Sequence, residues 1–160
     1  GYAWGSGDDG NGKDNAHRQS GLQNNKAEMG NIMDFEVYGV ALDPQLSNLH
    51  VLTAGVGFAP MEKSTLDLVF HHYRQDKLAT LDNERTNLRP RADQQNERAL
   101  GNGIDLIWGW RPNKQWRVEV AAGVFLPSGR FRQSDKADAD KARNVYAGNV
   151  EIKYYPNWTF

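Results

Sequence analysis

Cysteine is absent from this 160-residue chain. No disulfide framework holds it, and thiol usage points to no compartment. Long apolar runs are absent too. No stretch approaches the roughly 20 apolar residues that a membrane-spanning helix needs. Neither sign of charge dominates: 19 Lys and Arg stand against 20 Asp and Glu, a formal net charge of −1. No nucleic-acid partner is expected. Metal and nucleophile signatures are missing as well. The oxygen-rich stretch Asp8 to Asp14 has the wrong register for calcium, because Asp9-x-Asn11-x-Lys13 puts an ammonium where a ligand belongs. His71 and His72 are adjacent, so on a strand they point to opposite faces, and no activated serine accompanies them. The expectation is a chain that is not an enzyme, with no catalytic residue, metal or cofactor.

What the chain does have is alternation. In Val150-Glu151-Ile152-Lys153-Tyr154-Tyr155-Pro156-Asn157-Trp158-Thr159-Phe160, the residues Val150, Ile152, Tyr154, Pro156, Trp158 and Phe160 fall on one face. Glu151, Lys153, Tyr155, Asn157 and Thr159 fall on the other. The same period of two recurs upstream, and strands are expected near 32–42, 50–60, 64–76, 101–111, 116–127 and 145–160, with one or two less regular ones before residue 30. Met33, Phe35 and Val37 should face outward, with Asp34, Glu36 and Tyr38 inward. Leu52, Ala54, Val56 and Phe58 share a face, opposite the small residues Thr53, Gly55 and Gly57. Those small residues either leave an interior open or allow close backbone approach.

Connections alternate in length. Met61–Ser64 and Arg111–Gln115 are short turns, whereas 76–100 and 128–144 are long and polar. Short turns on one side and long loops on the other, with the chain ending on an aromatic strand, match a bacterial outer-membrane barrel with periplasmic turns and extracellular loops. Phe58, Trp108, Trp110, Trp116 and Trp158 then gather at the periplasmic rim. The fold class expected is all-β, a transmembrane antiparallel up-and-down β-barrel in the bacterial outer membrane, with the lipid bilayer as partner. Because the chain opens on Gly1-Tyr2-Ala3-Trp4-Gly5, the end of a strand already under way, residues 1–160 are expected to be the C-terminal portion of one barrel domain. They supply about seven or eight strands of a larger barrel, the remaining N-terminal strands completing it. Tyr2–Trp4 and the final strand are not expected to pair with one another.

Gly1-Tyr2-Ala3-Trp4-Gly5-Ser6-Gly7-Asp8, followed by His17-Arg18-Gln19-Ser20-Gly21-Leu22-Gln23-Asn24-Asn25-Lys26, resembles a stretch of the alginate export family of outer-membrane proteins. Leu46-Ser47-Asn48-Leu49, Leu66-Asp67-Leu68-Val69-Phe70-His71 and Phe125-Leu126-Pro127 are similar to further segments of it. The resemblance places the chain in the family's C-terminal third and implies a barrel of about eighteen strands, within the bacterial range. It implies a channel exporting an anionic exopolysaccharide by passive diffusion, with periplasmic secretion-complex proteins as possible partners. The other function open to the residues is a general small-solute or anion-selective porin.

The expected substrate path consists of lumen-facing charges: Arg18, Lys26, Asp34, Glu36, Asp105, Arg111, Arg117, Glu119, Glu151 and Lys153. Arg18 leads because its motif carries the resemblance, and guanidinium binds carboxylate in a bidentate fork. Arg117 is expected to pair with Glu151 on the neighbouring strand. The set departs from a strongly basic lumen, since from Ile32 onward its acids outnumber its bases. The family's alginate exporter also carries a long periplasmic loop resembling a gate, which Arg111–Gln115 is too short to supply.

Overall fold

The computed structural model describes residues 1–8, 16–17, 25–29, 32–78, 88–90, 97–129, 131–133 and 142–156. Among them there is no helix. The strands are β1 (Tyr2–Gly5), β2 (Lys26–Met29), β3 (Met33–Glu36), β4 (Leu49–Phe58), β5 (Ser64–Gln75), β6 (Leu88–Pro90), β7 (Ala99–Trp110), β8 (Trp116–Pro127), β9 (Phe131–Gln133) and β10 (Val145–Tyr154). Six of them form one antiparallel sheet in the order β1-β4-β5-β7-β8-β10. Strands β1 and β10 are its two edges and are not paired with each other. Short turns join β4 to β5 and β7 to β8, and the chain's second half runs as a meander. At the second turn the side chain of Asn113 accepts the N–H groups of Gln115 and Trp116, closing the reversal with a local hydrogen-bonded loop.

The period-two pattern sets the two faces of this sheet, and they have the reverse of the usual exposures. Leu52, Val56, Phe58, Leu68, Phe70, Ile104, Leu106, Val150 and Ile152 stand exposed on one side. Val56, Val150 and Ile152 keep 62–70% of their surface open. On the other side Asp67, His71, Gln75, Asp105, Arg117 and Glu119 are buried. Aromatic residues mark one end of the apolar face, as expected: Trp108 stacks on Trp110 at 6.4 Å and Trp116 meets Tyr154 at 4.8 Å. Trp158, Phe160 and the rest of 157–160 lie outside the described residues.

The polar face is buried because the chain between β1 and β4 folds back over it. Here the structure corrects the expected strand at 32–42. Only Met33–Glu36 is extended, and it pairs with Lys26–Met29 in a separate two-stranded hairpin that contacts β7 and β8. Met33 and Phe35, expected outward, instead pack with Val69 and Ile107 of the polar face, where Met33 is fully buried. Residues 37–42 are irregular and bury Val40, Ala41 and Leu42, the last two beside Leu49, Val51, Tyr73, Leu100 and Phe125. Glycines give the segment room. A Cβ on Gly109 would sit 2.8 Å from Met33 Cβ, and one on Gly123 would sit 2.9 Å from Val40 Cβ. At these two positions the small residues serve close approach. The two long loops also hold structure that was not expected, since Leu88–Pro90 pairs with Phe131–Gln133.

Candidate functional site

Two side-chain groups hold the folded-back segment, both on the polar face. The first lies where β8 and β10 run side by side. Register places Lys153 opposite Arg117 and Glu151 opposite Glu119, so like charges face each other across the ladder. Alone, such pairs destabilise a sheet. Diagonal and same-strand contacts resolve them: Arg117 Nε pairs with Glu119, and Lys153 Nζ lies 3.3 Å from Glu119 and 3.2 Å from Glu151. The hairpin adds two more carboxylates. Glu28 Oε1 lies 3.2 Å from Arg117 Nη1, and Asp34 Oδ2 lies 3.1 Å from both Arg117 Nη2 and Lys153 Nζ. Burial raises the Asp34 carboxyl, but hydrogen bonds and charge from Lys153 and Arg117 outweigh it and hold the group below the ordinary Asp range.

The cluster thus has four carboxylates on two cations, an excess of two negative charges. Its members differ sharply in depth. The side chains of Arg117 and Glu119 are 7% and 4% exposed, against 44% for Glu28 and 38% for Asp34. Arg117 Nη2 is buried and has no aligned hydrogen bond, although Asp34 is close enough to pair by charge.

The second group crosses β4, β5 and β7. Thr53 Oγ1 and His71 Nδ1 share a hydrogen bond of 3.0 Å, and His71 Nε2 lies 3.2 Å from Asp105 Oδ2 without being aligned for one. A hydroxyl, an imidazole and a carboxylate in a row resemble a nucleophile and its activating pair. Here the carboxylate serves the backbone above it, as does the neighbouring Tyr73. Asp105 Oδ2 accepts the N–H of Val40 at 3.0 Å, and Tyr73 Oη donates to the carbonyl of Tyr38 at 2.7 Å. With Glu119 accepting the N–H of Asp34, side chains of the six-stranded sheet satisfy backbone groups of residues 34, 38 and 40. Gly39 completes the fit with φ of 103°, a left-handed conformation, where a Cβ would sit 2.2 Å from Tyr73 Oη.

Of the expected path residues, Asp34, Arg117, Glu119, Glu151 and Lys153 come together in one cluster. Asp34 does so from the hairpin, which also carries Glu36, and not from a strand of the six-stranded sheet, which corrects the expected placement of both. Lys26 and Glu36 pair across that hairpin at 3.5 Å. The expected Arg117–Glu151 pair is replaced, because Asp34, Glu28 and Glu119 surround Arg117 while Glu151 takes Lys153. Asp105 faces inward as expected but is covered by Val40. Arg111 lies beyond β7 in the short turn, where its N–H donates to the carbonyl of Lys63. Arg18 lies outside the described residues. Glu28 escaped the sequence reading because its short strand has no legible partner. Its clue is Val69 and Ile107, bulky apolar residues beside Asp67 and Asp105 on the polar face, which require something apolar above them.

Among the described residues no group of three or more His, Asp or Glu side chains is arranged to hold a metal ion. A sequence model of the family described as alginate export matches residues 1–145. No curated protein matches the chain.

Proposed function

Because the chain belongs to the alginate export family, we propose that it forms the C-terminal part of an outer-membrane β-barrel channel through which an anionic exopolysaccharide leaves the cell by passive diffusion. One observation supports this above the others. The sheet exposes a continuous apolar face and buries its charged one. A soluble sheet does the opposite, and an uncovered apolar patch of this kind marks contact with another apolar phase. In an outer-membrane barrel that phase is lipid, and the inner face is polar. The aromatic end formed by Phe58, Trp108, Trp110, Trp116 and Tyr154 then sits at the periplasmic interface, and the long 76–100 and 128–144 connections are extracellular. The free edges β1 and β10 are completed by the protein's other strands, since an unpaired edge does not occur in hydrocarbon.

The substrate path follows the polar face past Arg117 and Lys153 and includes Arg18. No catalytic step belongs to this reading. The acidic excess around Arg117 favours the other function, a general small-solute porin. Planar-bilayer recordings of the full-length protein separate the two. An exporter conducts, and a linear uronate polymer blocks it transiently while a neutral polymer of equal length does not. Replacing Arg18 by Glu lowers its anion-over-cation selectivity. Equal indifference to both polymers identifies the porin. Protein that inserts without conducting overturns both.

A further inference from the structure

The folded-back hairpin bears on how such a channel opens. We propose that the β2–β3 hairpin is a releasable plug seated by carboxylate mimicry. Glu28 and Asp34 occupy, on Arg117 and Lys153, the places that carboxylates of a passing polyuronate take, and the polymer unseats the hairpin by competing for those two cations. This rests on the channel reading above.

Charge and depth set the order in which the four acids leave. The wall already neutralises its own cations, because Glu119 pairs with Arg117 and Lys153, and Glu151 pairs with Lys153. The hairpin's two carboxylates are therefore in surplus, and they are far more exposed than Glu119. Ion pairs so open to water hold weakly and exchange with competing anions. Lys153 and Arg117 together hold one oxygen of Asp34, and Arg117 Nη2 keeps an unaligned N–H beside it. A free carboxylate placed by a mobile polymer is able to align with that fork better than one tethered to a strand.

The packing divides at the right point for a moving hairpin. Below it, Val40, Ala41 and Leu42 are buried, and Tyr38 and Val40 are tied to Tyr73 and Asp105. Above it, the described apolar side chains of the two four-residue strands that pack on the sheet are Met33, which is buried, and Phe35, with one backbone bond from Asp34 N–H to Glu119. A two-stranded hairpin is marginal by itself. Strands β2 and β3 can therefore leave while 37–42 stays anchored.

The test uses the full-length protein in planar bilayers. Replacing Glu28 by Gln together with Asp34 by Asn removes three ion pairs to the wall. The unseated fraction then rises on the order of tenfold, and mean conductance rises with it. A second variant pins the hairpin. Residues 1–160 have no cysteine, so with any cysteine elsewhere in the protein replaced by serine, Met33→Cys with Gly109→Cys introduces a single pair at a site where the ideal Cβ of 109 lies 2.8 Å from that of Met33. A disulfide there needs the two Cβ atoms about 1 Å further apart. Oxidised, this channel is expected to conduct no more than the parent, with or without the Glu28 and Asp34 changes, and reduction restores the difference. A short uronate oligomer slows formation of the disulfide, and a neutral oligosaccharide of equal length does not. Parent-like conductance in the Glu28→Gln, Asp34→Asn channel overturns the plug, as does a disulfide that never forms or forms at the same rate with uronate. A parent that inserts but never conducts removes the channel reading itself.

Discussion

The two faces of the six-stranded sheet are made by the same strands and differ in everything else. On one, large apolar side chains such as Leu106, Val150 and Ile152 stand open. On the other, Arg117, Glu119 and Asp105 are buried beneath chain from the same molecule. Burial alone does not identify a core here. The exposed apolar face needs no further covering chain if its solvent is hydrocarbon, as the proposed channel requires. The polar face is covered by a segment that satisfies its charges as well as its few apolar residues.

One substitution made on each face tests that contrast most strongly. Leu106→Arg puts a charge near the middle of the apolar face and is expected to cost about 2–4 kcal/mol of stability in a bilayer. Asn149→Arg, on the other face, costs close to nothing. Urea titration of both variants refolded into lipid vesicles checks this, and equal losses would erase the distinction between the faces. A smaller loss follows Arg117→Met, which leaves Glu119 buried without its guanidinium. With Lys153 still beside Glu119, and with Glu28 and Asp34 open to water, the cost is about 2 kcal/mol instead of the full penalty for a broken buried pair. Gly123→Val sharpens the comparison further. Its Cβ would meet Asp105 Oδ1 at 2.3 Å and Val40 Cβ at 2.9 Å, so the overlying segment must shift at a cost of roughly 1–2 kcal/mol. Faster proteolysis around residues 37–42, with insertion unchanged, is the expected readout.

Acid gives the smallest effect. The Asp34 carboxyl is held below its ordinary range in the folded protein, so its contribution is fully present above the unfolded value. It is lost only as pH falls through the lowered folded value. Contact between hairpin and wall should therefore persist from neutral pH down to about 3.9, the free Asp value, and weaken below it. Accessibility of a label at residue 35 followed over that range measures this. Release near neutral pH would contradict the assigned ion pairs.

Much of the sheet was legible before any coordinates, and the reason is physical. Strands with one apolar face and one polar face must alternate, so β4, β5, β7, β8 and β10 announce themselves, with ends within a few residues of those found. Five expected path residues on three elements, Asp34, Arg117, Glu119, Glu151 and Lys153, also lie together in one cluster. The residues at 32–42 misled because alternation shows that a strand has two faces without showing which sheet it joins. Met33 and Phe35 look like wall residues aimed at lipid, and only Val69 and Ile107 beneath them show otherwise. The pairing of Leu88–Pro90 with Phe131–Gln133 was out of reach for the related reason that two polar loops carry no pattern linking them.

The central claim is that the exposed apolar face meets lipid and that the polar face, where the folded-back segment leaves it open, meets water. Residues 1–160 hold no cysteine, so single spin labels are introduced in the full-length protein, with any cysteine elsewhere replaced by serine, at Leu106 and Ile152 on one face and at Gly55 and Asn149 on the other. In vesicles, the first pair is expected to collide more with oxygen, which concentrates in hydrocarbon, and the second pair more with a water-soluble nickel chelate. Equal or reversed accessibility on the two faces would contradict the account.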